Sequence, residues 1–181
     1  MASNGSSFVD ILTVIDAKGI ISDMNSPGTQ LGRGSQGSPW PLYGAEKYAF
    51  MLVKRSESKP DTEATDELRV SVSTNDILRW RTTSMTMNTG YGVLLYDVHI
   101  SQGDDLVRTP TRYVIEGIVP KPKSDKDGNG LLEGSQPYQD VVLQSTTLSP
   151  GEVTYQLRFM IVDQTNNPIA YFSWDPFITI S

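Results

Sequence analysis

Between residues 153 and 162 every second side chain is apolar: Val153, Tyr155, Leu157, Phe159 and Ile161, with Thr154, Gln156 and Arg158 between them. Successive side chains of a strand point to opposite faces, so this spacing fits a β-strand buried on one side and fits no helix. Leu94, Tyr96, Val98 and Ile100 repeat the alternation, as do Val70 with Val72 and Tyr113 with Ile115. In the stretch 77–87, Leu78 and Trp80 share one face, Arg79 and Arg81 take the other, and β-branched Thr82 and Thr83 favour an extended backbone. Two runs are apolar at nearly every position, 8–15 around Asp10 and 48–53, which predicts central strands covered on both sides.

Turn chemistry separates these runs. Gly, Pro, Asn and Asp cluster at Asn25-Ser26-Pro27-Gly28, along 125–130, at Ser149-Pro150-Gly151 and at Asn166-Asn167-Pro168, where they set or tolerate the backbone angles of a reversal. No window offers three turns of apolar residues at helical spacing with caps. About eight or nine short strands with little helix give an all-β fold, a single-domain antiparallel β-sandwich over residues 1–181. Long Gly/Pro-rich loops are expected at 22–44 and 120–137, a charged loop at 56–67, and a flexible N-terminus at 1–7.

Charge then narrows the partners. Fifteen Lys and Arg stand against 21 Asp and Glu, a net charge of −6. Nucleic acids and anionic membranes are bound through a basic surplus that this chain lacks, so neither is an expected partner. The absence of cysteine excludes disulfides, thiolate nucleophiles and cysteine-ligated zinc. His99 is the only histidine, so a multi-His zinc site has no material and catalytic use would need a partner that the sequence does not name; a strand-face imidazole is its ordinary reading. The first residues carry no basic segment, and Asp10 and Asp16 interrupt their apolar run, which is no secretory signal peptide. No run approaches the roughly 18 apolar residues of a membrane span.

Four features bear on chemistry. Gly32-Arg33-Gly34-Ser35-Gln36-Gly37 spells GxGxxG, but Ser38-Pro39-Trp40-Pro41 follows where a phosphate-binding helix would have to begin, so it reads as a Gly-rich loop. Asp125, Asp127 and Asn129, followed by Gly130 and Glu133, match the first half of a Ca²⁺ loop, with oxygen ligands at alternate positions around a sharp bend. The twelfth position is Gln136 rather than a bidentate Glu, and the competing reading is a solvated turn. Trp40, between two prolines, is the aromatic best placed to be exposed; it either stacks on a ligand such as a sugar or packs within its loop, whereas Trp80 and Trp174 belong in the core. Paired carboxylates of glycosidase type are open to any chain with this many acids and point nowhere in particular. Arg79 and Arg81 are expected to pair with cross-strand carboxylates such as Asp97 or Asp175, and Asp175-Pro176 to mark an edge or a bulge.

Ordered strings along the chain resemble a known family. They are Asp10-Ile11-Leu12-Thr13-Val14-Ile15-Asp16, Asn25-Ser26-Pro27, Tyr48-Ala49-Phe50-Met51-Leu52-Val53, Asn75-Asp76-Ile77-Leu78-Arg79-Trp80-Arg81 and Tyr171-Phe172-Ser173-Trp174-Asp175-Pro176-Phe177. In that order they are similar to the bacterial inclusion-body proteins of the PixA and AidA type. The resemblance implies a small soluble bacterial protein, tied to quorum sensing or a host-associated phase and in some members packed into cytoplasmic inclusions. It brings no catalytic residues, and with only 6 methionines the chain departs from the methionine-rich members. The expectation is a non-enzymatic protein without cofactor that associates with itself in the cytoplasm, non-classical secretion remaining open. The alternative is a lectin-like module for carbohydrate or a host protein, with or without Ca²⁺; a carboxylate hydrolase comes third.

Overall fold

The structure is a computed structural model describing residues 6–60, 62, 64–123 and 132–181. In chain order the elements are β1 (Phe8–Ile15), α1 (Ala17–Met24), β2 (Trp40–Pro41), β3 (Ala49–Leu52), β4 (Arg69–Val72), β5 (Ile77–Ser84), β6 (Gly92–Gln102), β7 (Thr111–Pro122), β8 (Leu132–Thr146), β9 (Gly151–Val162), β10 (Pro168–Trp174) and β11 (Phe177–Ile180). They form two facing sheets, the sandwich that the alternating pattern requires. One runs β3-β1-β5-β8-β7; in the other β9 lies between β6 and the collinear pair β10 and β11, which β2 and β4 flank.

The core lies where the two alternations meet. From β9, Val153, Tyr155, Leu157, Phe159 and Ile161 are all buried; from the other sheet come Val9, Ile11, Ile15, Leu78 and Trp80. Trp80 and Tyr155 meet at 5.4 Å between ring centroids, and Phe159 packs against Phe172 and Trp174 at 5.7 and 5.5 Å. Burying each such side chain contributes about 1.5–3 kcal/mol, so this layer dominates the stability of the sandwich.

The details depart from the sequence reading in several places. Both sheets are mixed: β1 pairs with β5, β10 with β2 and β11 with β4 in parallel. The run at 48–53 gives β3 at a sheet edge, with Leu52 exposed, rather than a central strand. A two-turn helix follows β1, capped by Asp16, whose Oδ1 accepts the Gly19 N–H at 2.9 Å, and seated on Ala17, Ile20, Ile21 and Met24. Asp175-Pro176 makes neither an edge nor a bulge: Trp174 stays opposite Leu157 and Phe177 opposite Thr154, so β9 holds one register across the gap between β10 and β11. The expected loop at 120–137 contributes the ends of β7 and β8, two of the longest strands.

Candidate functional site

β7 and β8 build the most distinctive surface. β8 pairs with β5 only from Leu143 to Thr146, so beyond that point its sole partner is β7 and the two continue as a two-stranded ribbon. Pairing stays in register from Thr111 opposite Gln144 to Lys121 opposite Gly134. Unlike a strand in a sandwich, β7 has no buried face, and Tyr113, Val114, Ile118, Leu132 and Tyr138 all stand exposed, Ile118 at 76%. Sequence reasoning missed the ribbon because Pro120, Pro122, Gly134 and Pro137 look like loop residues. A ribbon with open edges tolerates them, since a proline there need give up no ladder bond.

Polar contacts fix the root of the ribbon. Arg112 Nη2 donates to the Tyr96 carbonyl at 3.2 Å, and the Arg108 N–H donates to the Thr146 carbonyl at 2.9 Å. On the outer face of the first sheet, Arg79 and Arg81 pair with Asp10 at 2.6 and 3.1 Å, and Arg81 also approaches Asp140 at 3.8 Å. The Arg79 guanidinium covers the Phe8 ring at 4.2 Å. Asp140 in turn accepts the Tyr138 hydroxyl at 2.9 Å; burial first, then that bond, pushes the Tyr138 phenol upward. The arginine partners are therefore Asp10 and Asp140. The carboxylates expected from sequence are engaged elsewhere, Asp97 with Arg158 at 3.2 Å and Asp175 with Gln156 at 3.0 Å, because Asp10 lies directly opposite Arg79 on the neighbouring parallel strand.

A recess of about 470 Å³ opens between the start of α1 and the loops at 84–91 and 163–165. Asp163 and Ser84 on its wall are engaged in local turns, while Lys18, Tyr91 and Gln164 also line it. The Asp163 carboxylate accepts from the Thr165 N–H and hydroxyl and from the Asn167 N–H, bonds that pull its pKa down to about 2, the Thr165 hydroxyl foremost. Ser84 Oγ accepts the Asn88 N–H at 2.9 Å, while Asn88 Oδ1 takes the N–H groups of Ser84 and Val93, both at 3.0 Å. The Asp-x-Thr-x-Asn turn could have been read from sequence as a self-bonded reversal.

The residues singled out by sequence lie apart from one another. Trp40 is 40% exposed; its indole N–H donates to the Gln30 carbonyl at 2.9 Å, and a Cβ on Gly32 would sit 2.7 Å from its ring, so the Gly-rich segment packs around it. Gly34 has φ +58°, and a Cβ there would meet the Tyr171 carbonyl oxygen at 2.5 Å. Backbone packing therefore accounts for that glycine, and β2 rather than a helix follows the segment. Asp125, Asp127 and Asn129 lie outside the described residues; Glu133 pairs with Lys121 across the ribbon at 3.5 Å. His99 is exposed on β6. Among the described residues no group of three or more His, Asp or Glu is placed to hold a metal ion, and no helix is long and apolar enough to cross a membrane. What the ribbon offers is an exposed backbone edge and apolar faces, the means by which one chain recognises a strand of another.

The family model described as PixA, inclusion body protein, matches residues 7–180. The crystal structure of an inclusion body protein of that kind from Burkholderia cenocepacia is similar with a TM-score of 0.77 at 19% identity, covering 100% of this chain and 99% of that one, a likeness of fold. A cysteine protease inhibitor from Entamoeba histolytica matches at 15% identity over 62% of this chain and 86% of that one; its TM-score of 0.29 carries no argument. No curated protein matches the sequence.

Proposed function

This chain belongs to the PixA inclusion body protein family, and from that premise we propose that it is a non-enzymatic protein whose role is to associate with copies of itself into cytoplasmic inclusions. The ribbon carries the reading: no residue of β7 is buried, and among the described residues its outer backbone edge has no partner. Expression in a dense or host-associated phase of growth belongs to the same reading.

Light scattering coupled to size-exclusion chromatography, over a wide protein concentration range with and without Ca²⁺, tests it. Mass that grows reversibly with concentration and ignores Ca²⁺ is the expected result. A monomer at every concentration overturns the assembly role; growth only with Ca²⁺ transfers the argument to the 125–133 segment and its carboxylates.

A further inference from the structure

The outermost strands other than β7 each carry a device against pairing with another chain, and the stretch of β8 that β5 leaves open holds Gly134 and Pro137. The β3 edge is occupied, since the Met51 N–H donates to the Thr65 carbonyl and its own carbonyl accepts the Ala64 N–H, at 3.0 and 2.9 Å. Residues 57–59 cover β4 through the Lys59 N–H to the Arg69 carbonyl and the Ser71 N–H to the Glu57 carbonyl, both 2.9 Å. β2 is two residues long and half proline. β6 is broken by register shifts between Leu95 and Asp97 and again between Ile100 and Gln102, and Thr82 Oγ1 takes its Leu95 N–H at 3.1 Å. On β7 none of this applies: its backbone pairs only with β8 among the described residues, its register is unbroken from Thr111 to Lys121, and no proline or lysine falls within 111–119.

We infer that the β7 edge pairs antiparallel with the β7 edge of a second copy, across a two-fold axis at Val114. This rests on the self-association proposed above and names its surface. Alternate residues of an edge strand point their amide groups outward, so two identical edges bond only when paired residues have the same parity, which places the axis on a residue and not between two. Of the residue-centred registers, the one at Val114 sets Arg112 of each copy opposite Glu116 of the other, twice per dimer. It also sets Tyr113 opposite Ile115, an aromatic with a β-branched residue, a favourable cross-strand pair. Moving the axis to Glu116 sets the two glutamates against each other; moving it to Ile115 sets Arg112 opposite Ile118. Neither Arg112 nor Glu116 forms an ion pair within the chain among the described residues, and both are exposed.

The chain has no cysteine, so single-cysteine variants take a nitroxide label cleanly. Electron paramagnetic resonance on the associated protein labelled at Val114→Cys, Glu116→Cys or Ile118→Cys should give the shortest inter-label distance at 114, rising by about 7 Å for each residue away from it. Glu116→Lys should weaken dimerisation by roughly tenfold, because it turns two attractive pairs into repulsive ones, and adding Arg112→Glu should restore it. If the wild type associates but the distance minimum lies elsewhere, or the charge swap restores nothing, the edge pairing is overturned while self-association stands. A wild type that stays monomeric overturns both.

Discussion

At the residue scale, the buried pair Trp80 and Tyr155 separates packing from hydrogen bonding. Both are essentially fully buried, and among the described residues neither the indole N–H nor the phenol oxygen has a partner at hydrogen-bond geometry. Burial raises the Tyr155 phenol far above its usual range, so it stays neutral. Removing an unsatisfied hydroxyl relieves a desolvation penalty, so Tyr155→Phe should leave stability unchanged or raise it, whereas Trp80→Ala should cost about 3–5 kcal/mol in a denaturant titration. Asp163 gives a pH prediction of definite sign. Its folded pKa is depressed below the ordinary 3.8, so the stability it contributes is present above that value and is lost as pH falls through about 2. Carboxyl NMR should find it titrating near pH 2, and amide exchange in the Asp163–Asn167 turn should quicken over that interval. A normal titration would show that the turn's hydrogen bonds are absent in solution.

Elements were legible where one face meets the core and obscure where none does. β9 could be drawn almost to its ends from alternation and the flanking Pro150-Gly151 and Asn167-Pro168, because burial of Tyr155, Leu157 and Phe159 enforces the period. The helix α1 was missed because two turns leave only Ile20, Ile21 and Met24 as a stripe, too short a pattern to stand out. Its clue is Asp16, and Asp16→Ala should cost about 0.5–2 kcal/mol by removing the cap. Parallel pairing of β1 with β5 depends on a long crossover and leaves no local signature. The ribbon is the converse case: with no face against the core, nothing constrains its residue types, and its prolines point to loop. For the same reason Glu116→Lys, at an exposed position of β7, should shift unfolding stability by no more than about 0.5 kcal/mol while weakening association. Thermal melts beside mass measurements will separate the two effects.

At the scale of the whole molecule, a sandwich with most of its edges covered ends in a ribbon whose β7 edge meets no other strand among the described residues. For the assembly proposed above, the ribbon supplies a physical means. An isolated two-stranded ribbon is marginal in water by itself, so association and ordering of the ribbon should reinforce one another. Sedimentation equilibrium of the wild type beside Glu116→Lys, from dilute to concentrated solution, tests this most directly. The wild type should rise above its 20.0 kDa monomer mass as concentration increases, while the variant, equally well folded, stays close to it for longer. A wild type fixed at the monomer mass throughout, or a variant that associates just as strongly, would contradict the account.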